Sequence, residues 1–450
     1  MSISFRDLPQ GWEVVNISEV TDVVPSVDPT KHPQTIINYI DISSIDNRRF
    51  EITESRKIAG AEAPSRARRA VRDGDVLFSN VRTYLRNIAR VSNVEQPAVA
   101  STGFTVLRPN NRVLQDFLFR WVTTDEFIHL VTPKQTGTQY PATYDRVVRS
   151  QRIPLPPVAE QRRIVDLLDQ IDQMRDAVAA GLASARSIIM TARRAVLAAA
   201  CSGALTSRWR GDHRPAPCIS MLQAKRSSDQ HRLGRRYREP TLPSADTLPP
   251  IPDEWCWAAL PELGELGRGK SKHRPRNHPS LFGGDYPFIQ TGEVARSGGR
   301  ITSHSQTYND LGLAQSRIWP ARTVCITIAA NIADSALLTY PACFPDSVVG
   351  LIADEKIALP EYVELFMRTA RRDLAAFAPA TAQANINLAI LSQVAVALPP
   401  LEEQREIVRR VEALFKVSEE ILTNIDAVSS FLDRISQAAL AKAFRGDLVS

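Results

Sequence analysis

The sequence predicts a mixed α/β fold in which two similar globular domains are separated by two long antiparallel coiled-coil helices with pseudo-two-fold symmetry. Three observations predict this fold. The chain has 450 residues, which is long enough for two or more domains. Its two halves share sequence features at one constant offset, and each half ends in a long apolar stripe with helical spacing. The chain therefore consists of two copies of one unit in tandem.

The offset between the copies is 243 residues, and it holds at three separated places. In the middle of the chain, IPLPPVAEQRRIVDLL (153–168) aligns with VALPPLEEQREIVRRV (396–411). The same offset relates two further pairs, one near the start and one near the end of each copy: Trp12 with Trp255, and Gly203 with Gly446. One offset at three places indicates a true internal repeat.

The globular domains are predicted at residues 1–157 and 250–399. Both mix short apolar runs with turn residues, which favours buried strands joined by loops. The clearest strand-like runs are DVLFSNV (75–81), FTVLRP (104–109), TVCITIA (323–329) and VVGLIA (348–353). Shorter helices are expected at 114–130 and 360–377. This combination lacks a regular alternation of strands and helices, and it predicts a mixed α/β domain.

Long helices are predicted at residues 158–206 and 400–450. Each follows a double proline, which is tolerated at a helix entrance, and each carries a glycine suited to a C-terminal cap. About 45 residues at 1.5 Å per residue give a length of roughly 65–70 Å. A helix of this length with one apolar stripe needs a partner stripe, so we expect the two helices to pair as a rigid spacer. The alternative is that both helices belong to one globular core. The apolar positions expected to pair the helices are Ile164, Leu168, Ile171, Val178, Ile189, Ile407, Val411, Leu414, Ile421 and Leu432.

The segment between the first long helix and the second domain, residues 207–249, is predicted to be a basic linker. It is rich in proline and polar residues, and its arginines and lysines outnumber its acidic residues. Two interpretations stay open at this point. The positive charge contacts a DNA backbone, or it only keeps the segment soluble.

Composition limits the class of protein. The formal net charge is +6 and the isoelectric point is about 9.1, which is compatible with a polyanionic partner. No signal peptide and no apolar run of membrane-spanning length are visible, so we expect no membrane and a cytoplasmic location. Five cysteines without a C-x-x-C pair predict neither a structural zinc site nor a disulfide framework, and histidines without metal-ligand spacing predict no metal.

Residues 264–271 (GELGRGKS) match the phosphate-loop pattern G-x-x-x-x-G-K-[ST], which makes a P-loop nucleotide-binding protein one alternative. A functional phosphate loop follows a buried strand and opens a helix. Pro261 before the motif, and Pro275 and Pro279 after it, disfavour both elements. We instead expect a flexible basic loop that contacts DNA phosphates through Lys270, Lys272, Arg274 and Arg276.

The repeated motifs resemble those of the specificity subunits of type I restriction–modification systems. The resemblance covers essentially the whole chain and depends on PLPPVAEQRRIV (154–165), ALPPLEEQREIV (397–408) and LPQGW (8–12). In the second copy, IPDEWCW (251–257) lacks the glycine before the tryptophan. The resemblance implies that the globular domains are target-recognition domains, each reading one half of a split double-stranded DNA site.

The resemblance also implies the partners of the chain. The long helices would hold the two target-recognition domains apart and dock two methyltransferase subunits. Restriction endonuclease/translocase subunits would complete the complex. The chain itself would be no enzyme and would bind no cofactor, because S-adenosylmethionine would be held by the methyltransferase partner.

Residues that read base edges must be hydrogen-bonding side chains on exposed segments. In the first domain the candidates are Asn80, Arg82, Thr83, Tyr84, Arg86, Lys134, Gln135, Thr138, Gln139 and Tyr140. In the second domain they are Gln290, Thr291, Arg296, Asn331, Gln383, Asn385 and Asn387. No N-P-P-[YF] motif of an amino-methyltransferase is present in the sequence. A non-DNA scaffold that uses its coiled coil to tether two adaptor domains is the second alternative.

Overall fold

The computed structural model describes residues 8–134, 141–272, 275, 277–329, 333–376 and 386–448. The chain divides into two compact units. The first unit comprises Met1–Ser184 with Asn424–Ser450, and the second comprises Ala185–Thr423. Each unit therefore contains one globular domain together with parts of both long helices.

The strands, in chain order, are β1 (Glu13–Asn16), β2 (Thr21–Asp22), β3 (Ile36–Ile40), β4 (Ile45–Asp46), β5 (Glu51–Ile52), β6 (Arg56–Ala59), β7 (Ala67–Val71), β8 (Val76–Ser79), β9 (Ile88–Arg90), β10 (Ala98–Ser101), β11 (Phe104–Pro109), β12 (Arg152–Leu155), β13 (Cys256–Ala259), β14 (Gly264–Arg268), β15 (Phe282–Phe288), β16 (Arg300–Ile301), β17 (Gln306–Tyr308), β18 (Val324–Thr327), β19 (Ser335–Leu338), β20 (Val348–Ala353) and β21 (Ala395–Leu398). The helices are α1 (Ile17–Val20), α2 (Gln115–Val122), α3 (Asp125–Val131), α4 (Asp145–Arg149), α5 (Val158–Cys201), α6 (Ser207–His213), α7 (Cys218–Leu233), α8 (Thr291–Arg296), α9 (Asp310–Ala314), α10 (Pro360–Ala376), α11 (Leu388–Ser392) and α12 (Leu401–Ala443).

The first globular domain contains two four-stranded sheets, with strand orders β6-β3-β10-β7 and β2-β11-β8-β9. Strand β8 shows why its sequence, VLFS, is apolar throughout. Successive side chains of a strand point to opposite faces, so Val76 and Phe78 enter the core formed with α2 and α3, while Leu77 enters a second core on the other face. Burial on both faces requires apolar residues at adjacent positions, as in the predicted strand 75–81.

The second globular domain is organised around a five-stranded sheet with the order β14-β20-β18-β19-β16. Its strand β18 repeats the pattern of β8. Val324 and Ile326 contribute to the core that contains α10, and Cys325 contributes to a separate core on the opposite face. Both domains therefore have the mixed α/β architecture that the sequence predicted.

The repeated E-Q motif fastens each long helix to its globular domain. In the first unit, the Gln161 side-chain amide donates to the carbonyl oxygens of Arg112 and Pro156 at 2.8 and 2.9 Å, and its oxygen accepts from the Leu114 backbone N–H at 2.9 Å. In the second unit Gln404 makes the same three kinds of contact, with Ile357, Pro399 and Leu359. A single side chain thus satisfies backbone groups on both sides of the helix entrance, which explains the recurrence of the motif.

Within each unit the two long helices are antiparallel. In the first unit the beginning of α5, with Ile164 and Leu168, shares a core with the end of α12, with Ala439 and Ala443. In the second unit the end of α5 packs against the beginning of α12, where Arg193 lies 4.4 Å from the ring centre of Phe415 and 3.2 Å from Glu419. The predicted antiparallel pairing is confirmed in both units.

The predicted apolar stripe is buried near the helix entrances and more exposed elsewhere. Ile164, Leu168, Ile407 and Val411 are buried, and Ile171 is partly buried beside the first core. Ile189 and Leu432 are half-buried. The remaining predicted positions are more than 40% exposed, namely Val178, Leu414 and Ile421. The predicted positions therefore differ in burial, because a pair of helices without a further layer covers only part of each helix.

The segment predicted as a linker folds as two helices, α6 and α7, on the second globular domain. Leu222 of α7 is fully buried in the domain core. Arg226 of α7 donates to the carboxylate of Glu262 at 2.6 Å, and Lys225 lies 3.4 Å from Asp354. Part of the basic charge that suggested a linker is thus neutralised within the second unit. Cys218, Met221 and Leu222 at the start of α7 pack on this core, and they were the local signal for its docking.

Cys218 and Cys256 form a disulfide between the first residue of α7 and strand β13. The prediction of a chain without disulfides was therefore wrong for this pair, whose members come together only through the unexpected docking of α7. The other cysteines are free thiols. Burial raises the pKa of Cys201 to about 12, and it also raises the pKa of Cys325 and Cys343, so these thiols are protonated at neutral pH.

The described residues contain neither a membrane-spanning helix nor a cluster of metal ligands. None of the helices among them is long and apolar enough to cross a membrane. No group of three or more His, Cys, Asp or Glu side chains in the described part of the chain is arranged to hold a metal ion.

Candidate nucleic-acid interface

Two of the predicted base-reading segments in the first domain are joined to each other by backbone hydrogen bonds. The loop that follows β8 runs beside the segment that leads into α4. Arg82 N–H donates to the carbonyl oxygen of Pro141 at 2.8 Å, and Thr143 N–H donates to that of Asn80 at 2.8 Å. The structure therefore brings residues 80–87 and 141–145 together as one loop cluster, here called the first loop cluster.

The second domain contains a related junction. The residue that follows β18, Ile328, accepts a backbone hydrogen bond from Ile386 at 3.1 Å. Ile386 leads into α11 as Thr143 leads into α4, and the two positions differ by the repeat offset. The same backbone junction thus joins the end of a central strand to the segment before a short helix in both domains.

Asn80 and Thr83, which the sequence suggested as base readers, are buried inside the first loop cluster. The Asn80 amide donates to Asp145 at 3.2 Å and accepts from the Thr105 hydroxyl at 2.7 Å. The Thr83 hydroxyl lies 2.9 Å from that of Thr132. These contacts occupy the polar atoms of both side chains, so the structure assigns them to shaping the loop. Strand-end position alone could not distinguish an inward from an outward side chain.

Asp145 is a residue of this cluster that the sequence reading missed. Its carboxylate accepts from Asn80 and from Thr105 at 3.0 Å, and it forms an ion pair with Arg69 on β7. Asp145 is the first residue of α4 and therefore links that helix to two strands. Its position five residues after the candidate Tyr140 was a usable signal, since polar residues at a helix start commonly fix the preceding loop.

The other described candidates of the first domain lie at or near the surface. The Tyr84 side chain is 52% exposed. Arg86 forms an ion pair with Asp125, and Lys134 donates to the Gln151 side chain at 3.0 Å. Arg82 is half-buried. Four candidates lie outside the described residues and stay predictions: Gln135, Thr138, Gln139 and Tyr140.

In the second domain, three candidates lie just before α8 or within it. Gln290 precedes α8 and donates to Gln306 at 2.6 Å; Thr291 begins the helix and Arg296 ends it. Asn387 is exposed and caps α11, accepting from the Ile390 N–H at 2.9 Å. Five further candidates lie outside the described residues and stay predictions: Arg274, Arg276, Asn331, Gln383 and Asn385.

The segment GELGRGKS is not a phosphate loop. Its first five residues form strand β14, which pairs antiparallel with β20. A phosphate loop must instead curve so that several backbone N–H groups point at one anion. The P-loop alternative is therefore excluded, and the expected flexible loop is in fact a strand up to Arg268. Lys270 and Lys272 follow the strand and are exposed.

Close packing explains the glycines of this segment. The two that complete the phosphate-loop pattern are Gly264 and Gly269. A Cβ atom at Gly264 would lie 2.0 Å from the carbonyl oxygen of Ile352, and one at Gly269 would lie 2.3 Å from that of Pro345. Between them, a Cβ atom at Gly267 would lie 2.9 Å from the indole of the buried Trp319. All three glycines therefore allow β14 and the residue after it to pack closely within the second domain.

Lys270→Ala is expected to leave the fold unchanged, because the Lys270 side chain is exposed beyond the end of β14. If the lysine contacts a phosphate, the variant should weaken DNA binding about equally for all sequences and reduce the salt dependence by about one counterion. Binding measured at several salt concentrations checks this result. An ATPase activity of the isolated chain that is abolished by the substitution would contradict it.

Comparison with known proteins agrees with these features. A family model described as the type I restriction modification DNA specificity domain matches residues 9–182 and 252–428. The chain is 24% identical over its whole length to the EcoKI specificity subunit of Escherichia coli K12, covering 91% of that protein. It is 27% identical to the EcoDI specificity subunit of Escherichia coli over 72% of this chain and 68% of that protein.

Solved structures show the same similarity in three dimensions. A chain from a structural study of complex assembly and conformational transition of the type I R-M system aligns with a TM-score of 0.77 and 27% identity, covering 98% of this chain and 99% of that chain. The crystal structure of the HsdS subunit from Thermoanaerobacter tengcongensis aligns with a TM-score of 0.61 and 27% identity, covering 98% of both chains. The two matched regions coincide with the two copies of the repeat. The chain therefore belongs to the family of type I restriction–modification DNA specificity subunits.

Proposed function

We propose that this chain is the DNA-recognition subunit of a type I restriction–modification complex and that each globular domain reads one half of a split duplex site. The observation that carries the proposal is the repeated backbone junction between a central strand and the segment before a short helix. It gives each domain a loop cluster built on a rigid sheet, which is where binding residues are commonly placed. Two such clusters on one chain suit a site with two separate halves.

Charge and exposure indicate which side chains contact phosphates and which read bases. Lys270 and Lys272, exposed beyond β14, are proposed to contact phosphates and to position the second domain on the duplex. Base reading is assigned to hydrogen-bonding side chains at the surface of the loop clusters. Of the described candidates, Tyr84 in the first loop cluster is 52% exposed, and Asn387 beside the corresponding junction of the second domain is also exposed.

The long helices are proposed to dock two methyltransferase subunits, and restriction endonuclease/translocase subunits are proposed to join that complex. Both helices carry large apolar side chains that are more than half exposed, namely Met174, Ile188, Val417 and Phe431. Apolar residues at such positions are typical of surfaces that a partner covers. The chain itself is proposed to catalyse no reaction and to bind no cofactor, with S-adenosylmethionine bound by the methyltransferase. A cytoplasmic location is proposed because the DNA that the chain would read and the partner subunits would be found there.

The proposal is tested with the purified chain bound to its methyltransferase partner. We expect the complex to methylate a bipartite DNA site, and we expect its affinity for duplex DNA to fall steeply as salt rises, because lysine and arginine contacts displace counterions. Binding isotherms between about 50 and 200 mM salt provide the measurement. A complex that binds no DNA, or whose binding is insensitive to salt, would favour the scaffold alternative.

The long helices are also proposed to set the spacing between the two halves of the site. Inserting one heptad after Ser184 in α5 and one after Thr423 in α12 keeps the helical period and adds about 10 Å to each helix. We expect the methylated site to gain roughly 3 bp between its halves, at about 3.4 Å per base pair. Sequencing of methylated bases measures that spacing. An unchanged site would show that the helices do not determine it.

A further inference from the structure

The turn RTYLR (82–86) in the first loop cluster has an unusual backbone. Thr83–Leu85 form a single 3₁₀ turn, and both flanking residues, Arg82 and Arg86, adopt left-handed conformations with φ of 47° and 53°. Residues with a side chain rarely adopt this conformation, and two of them four residues apart persist only where the surroundings fix the turn. The turn is therefore held in a conformation that it would not keep alone.

Contacts from four separate parts of the domain hold this turn in place. The Asn47 side chain donates to the carbonyl oxygen of Leu85 at 2.8 Å. The Arg86 guanidinium pairs with Asp125 at the start of α3 and donates to the Thr123 carbonyl oxygen at 3.3 Å. The buried Thr83 hydroxyl meets Thr132, and Arg82 N–H meets Pro141, as described above. Contacts with other parts of the domain thus hold the backbone of Arg82 and Leu85 and the side chains of Thr83 and Arg86.

This anchored turn presents two large apolar side chains at the surface. The Tyr84 and Leu85 side chains are 52% and 40% exposed, whereas the side chain of the preceding residue, Thr83, is buried. The neighbouring segment adds Tyr144, which is also exposed. A fold gains nothing by holding apolar groups in water, so their fixed presentation points to a binding partner.

We infer that Tyr84 and Leu85 form a wedge that inserts against a base step of the half-site read by the first domain. The inference rests on the proposed function, because the turn belongs to the first loop cluster. Rigid apolar side chains that enter a duplex unstack a base step and kink it, and an aromatic ring can replace part of the lost stacking. The exposed Arg48 and Arg49, which follow the Asn47 that holds Leu85, suit a polyanion rather than an apolar protein surface. The affinity for DNA would therefore depend on how easily one base step unstacks, which adds specificity without a base-edge hydrogen bond.

The test uses the full chain in complex with its methyltransferase and a duplex that contains its methylated site. The adenine analogue 2-aminopurine, which fluoresces when unstacked, is placed in turn at each adenine of the first domain's half-site except the methylated one, because a methyltransferase extrudes its target base. With the unaltered chain we expect fluorescence to rise on binding at one step only. For Tyr84→Ala with Leu85→Ala, we expect that rise to disappear and the dissociation constant to increase about tenfold, in line with the loss of one stacked base.

Two matched variants separate the wedge from other effects. Tyr84→Phe keeps the ring and should behave as the unaltered chain, whereas a loss with phenylalanine would assign Tyr84 to hydrogen bonding and overturn the wedge. Val23→Ala removes an apolar side chain elsewhere in the first domain that is even more exposed, and it should change neither signal. Normal DNA affinity with no fluorescence change at any step in the unaltered complex would overturn the inference and leave the proposed function standing. Absence of any sequence-dependent DNA binding would instead refute the proposed function. If the double variant lost the methyltransferase but kept the fluorescence change, Tyr84 and Leu85 would be a protein contact and the wedge would be wrong.

Discussion

Glu403→Ala is expected to lower the free energy of unfolding of the second unit by about 3–5 kcal/mol, which is the usual cost of removing one member of a buried ion pair. The Glu403 side chain is fully buried. It accepts from the indole N–H of Trp255 at 2.9 Å and from the Thr206 hydroxyl at 2.7 Å, and it pairs with the Arg210 guanidinium. The substitution would leave all three donors without this acceptor, and the arginine would keep a largely buried charge.

The repeat provides a matched control for this prediction. Glu160 occupies the same motif position in the first unit, where it accepts from the indole N–H of Trp12 at 3.1 Å and is only half-buried. Glu160→Ala should therefore cost about 1 kcal/mol, as for one ordinary hydrogen bond. Amide hydrogen exchange followed separately in the two units during urea unfolding measures both effects. Equal losses for the two variants would contradict the assignment of a buried ionic network to Glu403 and not to Glu160.

Phe444→Ala is expected to destabilise the first unit by about 3–5 kcal/mol, as for other large aromatic side chains removed from a core. Phe444 lies just after α12, near the end of the chain, yet it is fully buried in the first domain's core. Its ring centre lies 5.0 Å from those of Phe117 and Trp121. The end of the second copy therefore completes the core of the first copy.

Phe431→Ala provides the control on the same helix. The Phe431 side chain is 54% exposed, so its loss should change the stability by less than about 0.5 kcal/mol. Hydrogen exchange in residues of β8 and α2 reports on the first core. Unchanged protection there in Phe444→Ala would show that the two ends of the chain fold independently.

The sequence predicted the parts of the fold that depend on periodicity and repetition. The 243-residue offset correctly placed the helix entrances, where Gln161 and Gln404 now prove to make equivalent contacts. Runs of apolar residues bounded by turns indicated that β8 and β18 are buried on both faces. Antiparallel pairing of α5 and α12 followed from the need of each apolar stripe for a partner.

The parts that could not be predicted depend on contacts between residues distant in the chain. The docking of α7 depends on Glu262 and Asp354, whose proximity is a tertiary property. The local pattern of GELGRGKS resembled a loop because its glycines are required by residues far along the chain, with Ile352 beside Gly264 and Pro345 beside Gly269. For Asn80 the residue type suggested base reading, but burial beside Asp145 could be seen only in the structure.

The central claim is that each globular domain reads its own half of one split site. Single-molecule sequencing of methylated bases tests it most directly. One host carries this chain, and a second host carries a version in which residues 1–157 are exchanged for those of a related specificity subunit. We predict a bipartite motif in which only one half changes on exchange, while the other half stays the same. A motif that is continuous, or one in which both halves or neither half changes, would contradict the account.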